Sequence, residues 1–201
     1  MSKIVNQSRR IIGLTGGIAT GKTTVANYLA QIHQLPVFDA DIYAREAVTP
    51  DSPVLERLVQ RYSQDILETE GSLNRAKLAN IIFHDSNERQ WVEQQIHPEV
   101  RSRFIQNIEN APKNAGLVLV IPLLFEAQMT DLVTEIWVVY CNFQQQLERL
   151  MQRNTLSLTE AKARIDAQMS IEQKCQQAQV ILDNSTTIEA LFQQIDSALV
   201  G

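Results

Sequence analysis

Residues 16–23 read Gly16-Gly17-Ile18-Ala19-Thr20-Gly21-Lys22-Thr23 and fit the phosphate-binding pattern G-x-x-x-x-G-K-[ST]. The flanks fit as well. Arg10-Ile11-Ile12-Gly13-Leu14-Thr15 is a short apolar run of buried-strand type, and Thr24-Val25-Ala26-Asn27-Tyr28-Leu29-Ala30 reads as a helix. Strand, glycine loop and helix start together aim backbone N–H groups at an anion. Gly16 and Gly21 permit the tight bend, and Lys22 reaches the β- and γ-phosphates. The Thr23 hydroxyl is the expected Mg²⁺ ligand. The expected nucleotide contacts here are Gly17, Ala19, Thr20, Gly21, Lys22, Thr23 and Thr24.

Working outward, Val37-Phe38 is a second short strand that ends in Asp39-Ala40-Asp41. Leu117–Ile121, Ile136–Tyr140 and Val180–Leu182 are further apolar runs of strand length. Strands apolar on both faces and separated by helices predict an α/β fold, a five-stranded parallel sheet with helices on each side. Between strands two and three, residues 42–110 carry helical periodicity and no clear strand, which predicts a helical insertion. Within it, Pro98 predicts a break or kink near His97. Ser157-Leu158-Thr159-Glu160 is a capping box opening a late helix.

The bulk numbers narrow the class. A chain of 201 residues suits one α/β domain with insertions. A net charge of −5 does not favour broad nucleic-acid binding. Cys141 and Cys175 lack metal spacing and read as reduced and structural. Met1 to Arg10 is too polar for a signal peptide, and no apolar stretch is long enough for a bilayer. A cytoplasmic protein is expected, with no membrane or nucleic-acid partner, as a monomer or weak homo-oligomer.

Two carboxylates two apart at a strand end lie at the ligand edge of a parallel sheet. In Asp39-Ala40-Asp41 one can bind Mg²⁺ through water and the other can take a proton from an acceptor hydroxyl. The plain alternative is a helix N-cap, with Asp41 opening the helix at Ile42. Arg45 follows Asp41 by one turn, and Arg149 and Arg153 are four apart on one helix face. Such cations neutralise a transferring phosphoryl group, and the polar stretch from Phe143 to Ala178 suits a closing lid. His97 and Arg101 are also four apart. Pro122-Leu123-Leu124-Phe125-Glu126 either walls an acceptor pocket or packs the core.

Taken together, these segments resemble the dephospho-coenzyme A kinase family from Ile11 to about Leu191. The quoted pieces are the phosphate loop, Asp39-Ala40-Asp41 with Ala44-Arg45, Leu73-Asn74-Arg75, His97-Pro98 and Pro122–Glu126. Gln146-Leu147 through Arg153, Gln168, Lys174 and Asp183-Asn184 complete them. The resemblance implies a P-loop NTPase fold in three parts. These are a nucleotide-binding core (1–41, 111–142, 179–201), a helical acceptor domain (42–110) and a lid (143–178). It implies transfer of the ATP γ-phosphoryl group, with Mg²⁺, to the ribose 3′-hydroxyl of dephospho-CoA. Asp41 is then the general base, with Lys22 and Arg153 stabilising the moving group. Arg149 and Asn184 lie on the nucleotide side. Arg45, His97, Arg101, Leu123 and Glu126 lie on the acceptor side, and Asp39 joins Thr23 at the metal. Ala19-Thr20 stands where the family usually carries Gly-Ser, and alanine is tolerable there if its φ is negative. Asn154 stands where Asp is usual beside Arg153.

Two rivals remain at this stage. Another nucleoside or nucleotide kinase shares the loop and arginines, but not Asp-Ala-Asp with Pro-Leu-Leu-Phe-Glu. A GTP-binding switch needs an Asn-Lys-x-Asp base-reading segment, and the chain has Cys141-Asn142-Phe143-Gln144 at that place.

Overall fold

The apolar runs become strands of one parallel sheet. The computed structural model describes residues 9–112 and 115–200. In it β1 (Ile11–Gly16), β2 (Val37–Asp39), β3 (Leu117–Val120), β4 (Glu135–Tyr140) and β5 (Val180–Asp183) take the order β2-β3-β1-β4-β5. Ile11 pairs with Leu117, Ile12 with Glu135 and Trp137 with Val180, all in parallel register. The chain reverses direction across the sheet at β1, so its carboxyl end is the topological switch point where ligands bind. The signal-peptide reading rests mostly on residues 1–8, which lie outside the described residues. Among the described residues no helix is long and apolar enough to cross a membrane.

Alternation explains the packing. Ile12, Leu14, Val118, Val120, Trp137, Val139 and Leu182 share one face of the sheet, buried beneath Val25 and Leu29 of α1 (Lys22–Gln31) and Leu191 and Ile195 of α9 (Ile188–Val200). Each such burial contributes roughly 1.5–3 kcal/mol. Burial is least complete in the edge strand β5, where Ile181 is exposed.

The described residues divide into two compact units, one formed by the chain up to Phe38 and from Asn110 onward, the other by Asp39–Glu109. The first adds α6 (Phe143–Asn154), α7 (Leu158–Asp166, opened by the predicted Ser157–Glu160 capping box) and α8 (Ile171–Cys175). The second holds α2 (Ala40–Glu46), α3 (Pro53–Tyr62), α4 (Arg75–His84) and α5 (Ser86–Asn110). It has its own core of Val54, Leu58, Ile66, Leu78 and Val92. A 3₁₀ turn at Gln64–Ile66 and a single antiparallel bridge between Leu67 and Leu73 interrupt its helices.

Of the break or kink expected near His97, the break does not occur. Pro98 lies inside α5, which runs on without a break. Proline removes one N–H and crowds the preceding turn, at about 3 kcal/mol. Val92 before it and Val100 and Phe104 after it are buried, and their packing holds the helix on both sides.

A surface cluster in this unit gathers Arg61, Tyr62 and Trp91 around Glu88. Both oxygens of Glu88 accept from Arg61 at 2.6 Å, Tyr62 Oη donates to Glu88 at 2.6 Å, and the Arg61 guanidinium lies 4.4 Å from the Trp91 ring centre. The Arg61 hydrogen bonds, helped by Tyr62, hold the Glu88 carboxyl down to about 2, against an ordinary 4.5. A depressed carboxyl contributes stability above its unfolded pKa and loses it as pH falls toward the folded one. We expect thermal stability to fall between about pH 4.5 and pH 2 by more in the parent protein than in Glu88→Gln. Melting curves across that range check it, and parallel slopes would contradict it.

Candidate active site

The phosphate loop is built from β1 into α1. Gly16 and Gly21 both take positive φ, +147° and +106°. Gly21 is the N-cap of α1 and supplies no side chain to its first turn, where the Lys22 and Thr23 N–H groups lie too early in the helix for an intrahelical acceptor. A Cβ on Gly21 would stand 2.2 Å from Asn184 Nδ2, so both backbone angle and space demand glycine there. Lys22 Nζ donates to Gly16 O (3.0 Å) and Gly17 O (2.7 Å), across the mouth of the loop. Thr20 is buried and its Oγ1 donates to Gly17 O at 2.9 Å. Thr23 is exposed on the first turn, and Thr24 N–H donates to Gly21 O.

Ala19 does not meet the condition under which alanine is tolerated without strain. Its φ is +62°, in the left-handed region, not negative. That conformation costs an L-residue about 1–2 kcal/mol. Ala19 packs against the cluster of Leu147, Leu150 and Ala161, which offsets part of the strain.

Three residues expected on the nucleotide side do come together. Asn184 Nδ2 donates to Thr20 O at 2.8 Å, and Arg149 Nη2 donates to Asn184 O at 3.0 Å. Arg149 Nη1 is buried with no hydrogen-bond partner. Such an atom suits a ligand acceptor, because an unsatisfied buried donor is costly. Burial pushes the neighbouring Cys141 thiol up, with Arg149 opposing; Cys141 and Cys175 are both free. Arg153 is exposed, and its Nε donates to Asn154 Oδ1 at 2.9 Å.

After β3, Pro122–Glu126 serves packing and anchoring. Leu124 is fully buried and Leu123 half-buried. The Glu126 carboxylate pairs with Lys174 Nζ at 2.9 Å and accepts the Met169 N–H at 3.0 Å. Lys174 is fully buried and also donates to Pro122 O, which accepts Thr15 Oγ1 at the end of β1 as well. Glu126→Ala would leave a buried ammonium without its counter-charge. The expected loss is about 3 kcal/mol, a melting temperature lower by roughly 6–12 °C, with most of it recovered in Glu126→Ala/Lys174→Met. Calorimetry checks this, and an unshifted Glu126→Ala transition would contradict it.

In the helical unit Asp39, not Asp41, caps α2. Its carboxylate accepts the Asp41 N–H at 2.7 Å, and burial raises its pKa. The choice follows from backbone: Asp39 closes β2 with extended angles, as an N-cap needs. Asp41 is left exposed in the first turn. Asp41, Arg45, Leu73, Arg75, Leu78 and Ile82 line a pocket of about 300 Å³. An apolar floor with two guanidinium groups and one carboxylate suits an anionic organic ligand. His97 and Arg101 on α5 do not line this pocket. His97 is half-buried, and burial lowers its pKa, favouring the neutral ring.

Sequence reasoning gave no role to Gln146, Gln168 or Lys174. Gln146 carried a readable signal: a polar residue four before Leu150 on the buried stripe of α6.

Known proteins match nearly the whole length of this chain. The dephospho-CoA kinase family model matches residues 10–190. The dephospho-CoA kinase of Trichormus variabilis is 59% identical over 192 residues, covering 96% of this chain and 97% of its own. Among solved structures, a Thermus thermophilus protein superposes with a TM-score of 0.79 at 32% identity, covering 96% of this chain and 98% of that one. The dephospho-CoA kinase of Campylobacter jejuni superposes with a TM-score of 0.71 at 28% identity, covering 94% and 95%.

Proposed function

The chain belongs to the dephospho-CoA kinase family and carries out ATP-dependent phosphorylation of dephospho-CoA in CoA biosynthesis, and from that premise we propose how its residues divide the work. The loop of residues 16–24 binds the ATP phosphates through backbone N–H groups, with Lys22 on the β- and γ-phosphates. Arg149 and Asn184 take the nucleotide side. Asn184 Nδ2 spends one of its two N–H groups on Thr20 O, which leaves the second N–H and Oδ1 for a contact with the base. Arg153, on the same face of α6, neutralises charge on the moving phosphoryl group.

Asp41 removes the proton of the acceptor's ribose 3′-hydroxyl. Arg45 sits beside it in the pocket of the helical unit, and His97 and Arg101 act from α5 on the acceptor side. Glu126 and Leu123 serve that side indirectly, by anchoring the loop after β3. The three-part division into core (1–41, 111–142, 179–201), acceptor domain (42–110) and lid (143–178) is retained as part of this proposal. So is a cytoplasmic location.

Mg²⁺ fits as a hard cation on oxygen ligands. No group of three or more His, Cys, Asp or Glu side chains is poised to hold a metal among the described residues. The exposed Thr23 hydroxyl and nucleotide oxygens would hold the ion, with Asp39 reaching it through water. When bound, it neutralises charge on the phosphates.

The observation that carries this reading is the loop, with the buried, unpartnered Arg149 Nη1 two hydrogen bonds away from it. The test is ADP release with dephospho-CoA, adenosine or AMP as acceptor. Turnover with dephospho-CoA alone is expected, and faster turnover with adenosine or AMP would overturn the acceptor assignment.

A further inference from the structure

Ile18, in the middle of the phosphate loop, is gripped on both sides of its backbone. Gln146 Nε2 on α6 donates to Ile18 O at 2.8 Å, and the Ile18 N–H donates to Gln168 Oε1, between α7 and α8, also at 2.8 Å. Gln146 is only 3% exposed. A buried amide on an otherwise apolar stripe of α6 is unfavourable unless its hydrogen bonds are made, so this contact is specific. Gly17 is matched to it: a Cβ there would stand 2.5 Å from Gln146 Nε2 and push the amide off the loop.

The residue that follows explains the grip. Ala19 sits at φ +62°, a conformation alanine avoids when unrestrained. The carbonyl of Ile18 and the N–H of Ala19 belong to one planar trans peptide and point opposite ways. Fixing that carbonyl on Gln146 therefore fixes the peptide plane on which the Ala19 φ depends. It also turns the Ala19 N–H away from Gln146. The strain is held by surrounding contacts, as strained backbone at functional sites must be.

We propose that Gln146, with Gln168 as its partner, is a positioning residue for ATP. It clamps the Ile18 peptide and so presets the left-handed Ala19 and the N–H array that receives the phosphates. Alanine at position 19 makes the clamp matter more in this chain. With glycine there the same backbone is unstrained and the clamp matters less. This inference rests on reading residues 16–24 as the nucleotide loop.

The test is the ATP dissociation constant of Gln146→Met, measured by calorimetry in the parent and in Ala19→Gly. Loss of one buried hydrogen bond that holds the loop should weaken ATP about tenfold in the parent background. In Ala19→Gly the same change should cost about threefold or less. KM for dephospho-CoA should not move. Gln168→Ala, at a less buried position, should weaken ATP about fivefold and serves if Gln146→Met fails to fold. A melting temperature that drops with ATP affinity unchanged in the folded variants would overturn the clamp. So would an equal affinity loss in both backgrounds. Lys22→Ala separates the two readings. If it too leaves ATP binding intact, the loop assignment fails; if it alone abolishes binding, only the clamp fails.

Discussion

Asp41→Asn is expected to slow phosphoryl transfer by about 10²–10⁴ while leaving the ATP dissociation constant within about twofold. A positioned general base contributes a factor of that size when it accepts the acceptor's proton. Asparagine keeps the shape and loses the ability to take that proton. The change is structurally conservative, because the N-cap of α2 is Asp39 and remains in place. Asp41 itself is exposed in the first turn and beside Arg45 in the pocket. ATP affinity should persist because the phosphate loop lies in the other unit of the chain, built from β1 and α1. Rapid-quench turnover paired with calorimetric ATP binding measures both quantities. Near-normal turnover in Asp41→Asn would remove it from the role of base.

Lys22→Ala should fail in both respects. Loss of a cation aimed at the β- and γ-phosphates should reduce turnover by about 10²–10³ and weaken ATP by at least about tenfold. The ammonium also holds Gly16 O and Gly17 O, so its removal slackens the loop as well as uncovering the phosphates. Arginine at this position would not restore function, because a planar fork cannot replace a compact point charge between two carbonyls. The same two measurements decide it. Unchanged affinity and rate would sink the phosphate-loop assignment.

Much of this site is local, and local features were legible. The apolar runs at Ile11, Leu117 and Ile136, the glycine pattern and the Ser157–Glu160 capping box each declare themselves within a few residues. The sheet follows from them because buried strands separated by helices have few ways to pair. What the chain concealed depends on contacts distant in sequence. Gln146 and Gln168 meet Ile18 across 128 and 150 positions, and no periodicity reports such a meeting. The left-handed φ of Ala19 is not legible in the sequence because it is held by that clamp and by the apolar cluster of Leu147 and Leu150, not by alanine's own preference. Proline's local rule at position 98 was outweighed by packing on both sides of it. The choice between Asp39 and Asp41 as cap turns on where β2 ends, and a three-residue strand leaves that open by two residues. Glu126 looked like a free carboxylate at a ligand edge, and its partner Lys174 lies 48 residues away.

The measurement that bears most directly on the central claim is phosphorus NMR of the product formed from ATP, Mg²⁺ and dephospho-CoA. A new monoester resonance coupled to the ribose 3′ proton, with one ADP released per phosphate transferred, is the predicted result. A phosphate on the pantetheine arm, or ADP released with no phosphorylated dephospho-CoA, would contradict it.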